Sequence, residues 1–295
     1  MEREFHISHT DGDLALYVSL HTGITIRKPP LKDGAQKSLF KNAKGSIDVC
    51  MSESGAVFII AQTKSGVITK IIYKNGAWRR FDVLIPKTSG YYEKSFALCP
   101  HNGEVYALFS VKSAEKYALC MTPLKKSGHT PSLLSYISSW DAFAAVSNEN
   151  VVCAVFEDEK GVLKASFFSA KRERAYISPL LSGAGASQIR ALLKKDTLYA
   201  AFLKSGRLFL IETDIRKKRA RAIHDLSDAP PDTEISLCEK RGAPVIHTVL
   251  GAVVFTFEFD PKSRRWRKTT ESASPRAPHE IKHVYAGGSE TELII

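Results

Sequence analysis

Ser46–Leu84 reads SIDVCMSESGAVFIIAQTKSGVITKIIYKNGAWRRFDVL. Four short runs within it, Ile47–Met51, Ala56–Gln62, Val67–Tyr73 and Trp78–Leu84, are rich in Val, Ile, Phe and Tyr. These residue types fit a pleated, largely covered surface, so each run is expected to be a strand. Turn residues at Ser52–Gly55, Thr63–Gly66 and Lys74–Gly76 separate the runs, and glycine there permits the positive backbone angles of tight hairpins. The stretch therefore predicts a four-stranded antiparallel meander. One such meander cannot bury both its faces alone, so the rest of the chain must supply neighbours.

It does so by repetition. The second strand of the unit recurs at Gly12–Val18, Gly55–Ile60, Gly103–Leu108, Asn150–Val155, Asp196–Ala201 and Gly242–Thr248. Third strands recur after a short polar turn: KSGVITKIIY from Lys64, EKGVLKASFF from Glu159, KSGRLFLIET from Lys204 and LGAVVFTFEF from Leu250. A fixed period of strand signals with no amphipathic helix between them is the mark of a β-propeller. The predicted fold is all-β, a six-bladed propeller of four-stranded antiparallel blades; seven blades with an incomplete last one is the alternative. A single domain is expected, with blades at approximately 1–44, 45–88, 93–137, 138–181, 187–227 and 233–271, and 281–295 closing the ring. Either Phe5–Ser8 or Val284–Gly287 should supply the first strand of the first blade, the other being surplus.

The unit at Glu53–Trp78, an acidic or Gly turn, a strand, a K/S-G turn, a strand and then N-G-x-W, resembles sialidase-like repeat propellers. It is also similar to the non-catalytic propellers and fucose-type lectins of that architecture. The Asp-box of that superfamily, S-x-D-x-G-x-T-W, is approached only by Lys74–Trp78 (KNGAW) and Asp260–Trp266 (DPKSRRW). Its catalytic arginine cluster and Tyr/Glu pair have no counterparts at recognisable positions. The resemblance implies the fold and does not extend to an activity.

The 295 residues are 44% hydrophobic, enough for a sizeable core. Lys and Arg number 42 against 31 Asp and Glu, a net charge of +11, which favours polyanionic or acidic partners. No apolar run approaches the ~18 residues of a membrane-spanning helix. No signal-peptide pattern opens the sequence, so the cytoplasm is the expected compartment, or an extracytoplasmic one if a leader has been removed.

Candidate chemistry is sparse. Nine histidines show no HxxxH or HExxH spacing; His6 and His9 with Asp11 and Asp13 form the densest group, read as a solvated turn, and no metal or cofactor is expected. Five cysteines without a CxxC pair indicate neither disulfide framework nor zinc site. Cys50, Cys99 and Cys238 fall at equivalent points of first strands and read as small buried hydrophobes. No GxSxG elbow is present, and Gly183–Gly185 reads as a connector between blades. Glu53, Glu115 and Glu157–Asp158–Glu159 sit in turns, where two could meet as a glycosidase requires. No catalytic residue is assigned.

Basic clusters are the strongest signal. Lys74/Arg79/Arg80, Lys125/Lys126, Lys171/Arg172/Arg174, Arg216/Lys217/Lys218/Arg219/Arg221 and Lys262/Arg264/Arg265/Arg267/Lys268 all fall at the turn between third and fourth strands and the start of the fourth. The repeat would superpose them into a positive arc on one face, with Trp266 interleaved. Edge protection by Lys and Arg is one explanation; contacts to phosphate or sulfate are the other. Tyr91 and Tyr92, in a long connector, are candidates for a small-ligand contact on the opposite face. Trp78 and Trp140 are further candidates for stacking on a sugar. The favoured function is a non-catalytic binding or scaffold module docking an acidic polymer, glycan, nucleic acid or acidic protein surface. A glycan-active enzyme of sialidase or lyase type, with its site in the central funnel, and a carbohydrate-binding lectin are the alternatives.

Overall fold

The repeat resolves into 26 strands, with no helix among the described residues. The computed structural model describes residues 3–9, 14–19, 23–27, 37–41, 43–85, 94–113, 115–124, 130–169, 174–230, 232–260, 262–263, 265–273 and 279–294. The first four strands are β1 (Arg3–Ile7), β2 (Leu14–Ser19), β3 (Gly23–Arg27) and β4 (Lys37–Phe40). The opening meander of the sequence is β5 (Ala43–Met51), β6 (Val57–Thr63), β7 (Ile68–Lys74) and β8 (Ala77–Leu84). Next come β9 (Phe96–His101), β10 (Glu104–Ser113), β11 (Lys116–Pro123) and β12 (Ser132–Ile137), then β13 (Phe143–Ser147), β14 (Val152–Glu157), β15 (Leu163–Ser169) and β16 (Arg174–Leu181). The last two full sets are β17 (Ser187–Lys194), β18 (Thr197–Lys204), β19 (Arg207–Asp214) and β20 (Arg219–Asp228), and β21 (Glu234–Lys240), β22 (Ala243–Leu250), β23 (Val253–Asp260) and β24 (Arg265–Ala273). A final pair, β25 (His279–Tyr285) and β26 (Gly288–Ile294), ends the chain. Each set of four is an antiparallel sheet in chain order, so the fold is a six-bladed β-propeller.

The chain forms two compact units. One comprises Met1–Ser135, Ser147–Asn150 and Ile281–Glu290; the other comprises Tyr136–Val146, Val151–Glu280 and Thr291–Ile295.

The first sheet corrects the expectation of a surplus segment. Its order is β26-β25-β1-β2-β3-β4, six strands rather than four. Phe5 pairs with Leu16 of β2 on one side and, in parallel register, with Lys282 of β25 on the other. Both candidate segments are used because each satisfies the other's open edge.

The apolar runs are nearly continuous because both faces of a blade are covered. Along β6, Val57, Ile59 and Ala61 enter a core shared with Ile24, Ile26 and Phe40 of the first sheet. Their neighbours Phe58 and Ile60 enter a different core, shared with Phe96, Leu98 and Phe109 of the third. Along β18, Leu198, Ala200 and Phe202 face the fourth sheet while Ala201 and Leu203 face the sixth. The two-residue period of a strand thus sends alternate side chains into two cores. Fully burying a Phe or Ile contributes about 1.5–3 kcal/mol.

Turns repeat a chemical device as well as a length. Ser52 Oγ accepts from Ala56 N–H at 3.2 Å, Thr63 Oγ1 from Val67 N–H at 3.0 Å, and Asp158 Oδ1 from Val162 N–H at 2.9 Å. In each turn a side-chain oxygen four residues upstream closes the loop that a glycine opens (Gly55, Gly66, Gly161, all at positive φ).

Side chains also tie consecutive blades. Asp48 on β5 accepts from Leu98 N–H on β9 at 2.7 Å. Glu157 on β14 accepts from Ala186 N–H at 2.8 Å, just before β17. Gln188 on β17 accepts from Ile235 N–H at 3.1 Å and donates to Thr233 O at 2.6 Å, at the start of the sixth sheet. Each tie satisfies backbone where one sheet begins against its predecessor, a place where an unpaired N–H would be costly.

Candidate functional site

Among the described basic residues, Arg216, Lys217, Lys218 and Lys262 stand at the turns between third and fourth strands and Arg79, Arg80, Arg174, Arg219, Arg221, Arg265, Arg267 and Lys268 on the fourth strands themselves, and several are ion-paired. Asp214 and Asp260, forty-six residues apart, end β19 and β23 and organise the two richest turns alike. Asp214 Oδ1 accepts from Arg216 N–H and Lys217 N–H at 2.9 and 3.0 Å. Asp260 Oδ1 accepts from Lys262 N–H at 2.9 Å, and its Oδ2 takes the Ser263 hydroxyl at 2.7 Å. The returning strand then pairs an arginine with each carboxylate: Arg221 with Asp214 at 2.9 Å and Arg267 with Asp260 at 3.0 Å. Hydrogen bonds to the turn hold both carboxyls below the usual carboxylate range, from the Lys217 amide at Asp214 and from Ser263 at Asp260. Arg216 pairs with Asp196, and Lys268 with Glu271 at 2.7 Å.

What remains is a smaller set of cations. Lys74, Arg79, Arg174, Lys217, Arg219, Lys262 and Arg265 are exposed, and Arg80 lies over the Phe40 ring, 5.4 Å from its centroid. Lys125, Lys126, Lys171, Arg172 and Arg264 lie outside the described residues, as do Tyr91 and Tyr92.

Two of the tryptophans are packing groups. Trp78 is the cross-strand partner of Tyr73, with ring centroids 4.8 Å apart, and Trp266 is that of Phe259, at 5.9 Å. Both occupy the second position of a fourth strand and prop the hairpin against the third. The indole Nε1 of Trp266 is buried.

Exposed aromatic rings stand instead on fourth strands, at Phe81, Tyr136 and Tyr176, and on β25 at Tyr285. Phe81 on β8 is 45% exposed and lies opposite Lys70, whose ammonium sits 5.4 Å from the ring centroid. Lys70 donates to Leu124 O of the third sheet, and burial lowers its pKa. Tyr176 on β16 is 52% exposed and lies opposite Phe167, a member of the core between fourth and fifth sheets. Ile223 on β20 is 47% exposed and lies opposite Ile211 of that same core. Tyr176 and Ile223 therefore flank one wedge, and Lys218 reaches across it to stand 4.4 Å from the Tyr176 centroid. Lys268 over Phe255, at 3.9 Å, adds a cation–aromatic pair within the sixth sheet, on the side of the core it shares with the fifth.

Reading the sequence by second and third strands missed Phe81, Tyr176 and Ile223. The signal that finds them is a bulky apolar residue among Arg and Lys on the outermost strand, where burial does not demand one.

The acids of the hairpin turn are occupied. Glu157 bonds Ser138 Oγ at 2.8 Å besides Ala186 N–H, and Asp158 takes Lys160 and Val162 N–H and pairs with Lys164 at 2.6 Å. Among the described residues no three His, Cys, Asp or Glu side chains converge as metal ligands. His6 bonds Glu4 at 2.7 Å and meets His283 edge-on at 5.3 Å between ring centroids; Asp11 and Asp13 lie outside the described residues. Cys50, Cys99 and Cys238 are buried, and burial pushes Cys99 up to about 12 and Cys238 to about 11, which keeps both thiols protonated.

No protein-family model matches the chain, and no curated protein matches it. Solved structures do. A fungal fucose-recognising lectin from Aleuria aurantia superposes with a TM-score of 0.56 at 10% identity, covering 93% of this chain and 96% of its own. The SapL1 lectin, solved with α-methyl fucoside, gives 0.56 at 10% identity over 94% and 97%. A prolyl endopeptidase gives 0.56 at 10% identity over 93% of this chain but 43% of its own. At such identities the likeness establishes the fold, and the fold is the six-bladed propeller.

Proposed function

We propose that the protein is a carbohydrate-binding propeller that seats glycan in the wedges between outer strands of adjacent blades. The observation that carries this reading is the exposed Tyr176 ring at the mouth of the fourth–fifth wedge, opposite Ile223 and beneath Lys218. A sugar presents an apolar C–H face to an aromatic ring and hydroxyls to neighbouring polar groups, and sites of this kind combine apolar lining with a few placed polar groups. Phe81 supplies a second such ring in the other unit. The lectin folds that superpose on this chain agree with the reading at the level of architecture.

The test is a glycan array probed with the wild-type protein and with Tyr176→Ala and Phe81→Ala. Both rings are exposed, so the variants should fold. Selective retention by the wild type, reduced in either variant, is the expected result. Identical retention by all three proteins would remove the wedges from consideration.

A second reading, docking of an acidic polymer or acidic protein on the basic turns, draws on the exposed Arg79, Lys217, Arg219 and Arg265. It predicts binding that weakens steeply with salt. The ion pairs to Asp196, Asp214, Asp260 and Glu271 reduce the charge available to it.

A further inference from the structure

We infer that the wedge between the fourth and fifth blades is a binding site for an anionic saccharide, one bearing a carboxylate or sulfate. Its residues are Tyr176, Ile223, Arg174 and Lys218. This rests on the glycan-binding reading and deepens it at one of its sites.

Three observations converge. The first is the backbone at Lys218, which sits at φ 54° in the left-handed region. A lysine there is strained, where glycine or asparagine would not be. Asp214 fixes the turn by accepting the two preceding amides, and the left-handed residue then aims its side chain across to the neighbouring blade. Its ammonium comes to rest 4.4 Å from the centroid of a half-exposed ring. Asn75, Asn102, Gln188, Lys195, Ser205 and Arg241 hold the same left-handed backbone, so the conformation belongs to the turn, and what bears on a ligand is the open aromatic surface that the Lys218 side chain reaches.

The second is Arg174. It precedes Tyr176 by two residues on β16, so both stand on the face toward the fifth blade. It is exposed and makes no ion pair with a described residue. Two cations therefore border the ring.

The third is the charge beyond them, which limits the ligand's length. Asp196 pairs with Arg216, Asp214 with Arg221, and Asp225 and Asp228 with Arg207 at 2.9 and 2.6 Å. A long polyanion laid along these blades would meet arginines already engaged by four carboxylates, and its affinity depends on how many of its charges free cations neutralise. Single-stranded nucleic acid also needs successive stacking rings along a basic track, whereas this wedge offers one. A short anionic sugar needs only the local pair of cations and one apolar platform.

Titration calorimetry on the full chain, at low and moderate salt, tests the inference. The probes are a sulfated heparin disaccharide, a hyaluronan tetrasaccharide carrying only carboxylates, a neutral methyl fucoside, a neutral cello-oligosaccharide and an oligouridylate. Lys218→Gly is the informative variant, since it removes the ammonium and relieves the backbone together. We expect an anionic saccharide to bind the wild type, to bind Lys218→Gly and Arg174→Ala roughly tenfold more weakly, and the melting temperature of Lys218→Gly to be unchanged or raised. Binding of the sulfated or the carboxylate probe identifies the source of the anion.

The other outcomes overturn the inference. A destabilised Lys218→Gly that binds like the wild type makes the Lys218–Tyr176 contact a brace between blades. Neutral sugars bound equally by all variants leave the lectin reading standing and remove the anionic one. Oligouridylate bound more tightly than any saccharide assigns the wedge to nucleic acid. No saccharide binding at all removes both the inference and the reading beneath it.

Discussion

Asp48 and Lys282, 234 residues apart in the chain, meet in an ion pair of 2.6 Å. The carboxylate belongs to the second sheet and the ammonium to β25 in the first, while the other carboxylate oxygen takes Leu98 N–H of the third. One side chain thus links three sheets. Asp48→Ala leaves a partly buried ammonium and a backbone N–H unpaired, and should cost about 2–4 kcal/mol. Urea denaturation measures it, and Asp48→Asn should lose less because it can still accept from Leu98.

His247 predicts how stability changes with acid. Burial pushes its pKa down to about 4, helped by the charge of Lys240 and opposed by Glu280. Its Nδ1 lies 3.0 Å from Thr256 Oγ1. A histidine whose folded pKa lies below its unfolded value of ~6.5 binds its proton more readily when the chain is unfolded. Its penalty is absent above that pH, grows as pH falls from about 6.5 to 4, and then levels off, reaching roughly 3 kcal/mol. His247→Gln should flatten that part of the stability–pH curve without moving the lower-pH limb, where Asp158, Asp214 and Asp260 protonate.

The paired turns offer a matched experiment. Asp214→Ala and Asp260→Ala each leave turn amides without their acceptor and release an arginine, and each should lower stability. Their carboxyls titrate low in the folded state, so the stability they contribute is present above the usual carboxylate range and is lost as pH falls through it. Retention on a heparin column should rise in both variants, since each loses a negative charge beside exposed cations. Unchanged retention would show that the third–fourth turns do not govern binding to polyanions.

Gly23 tests backbone space. It holds φ +80°, and a Cβ there would stand 2.2 Å from Phe40 O. Gly23→Ala should loosen the β3–β4 pairing and lower thermal stability by several degrees, of the order expected for ~2 kcal/mol or more. Gly55→Ala is the control: its φ is +78° but no atom crowds the added carbon, so only the conformational cost should appear.

The fold was legible because the repeat is chemical as well as periodic. AVFIIA at 56–61 announces a strand covered on both faces, and Ser52, Thr63 and Asp158 close their turns through the same four-residue step. The register of the first sheet was not legible. Phe5–Ile7 and Val284 carry equal strand signals, and nothing local says that they pair in parallel. The wedge was hidden for a related reason. Lys218 was visible as one cation in a basic run, but Tyr176, forty-two residues earlier, becomes its neighbour only through the packing of two blades. The ion pairs that thin the basic arc were equally out of view, since Asp196 and Arg216 lie on different hairpins.

The parallel pairing of β1 with β25 also orders events during synthesis. β1 is made well before β25, yet one of its edges finds its partner only when Ile281–Val284 emerges. Until then the first sheet presents an open strand to the solvent and to other nascent chains. So distant a contact forms slowly, which makes β25 the timekeeper of assembly. A circular permutant that places β25 shortly ahead of β1 would make this parallel pairing local in sequence. It should refold faster while keeping the same native contacts.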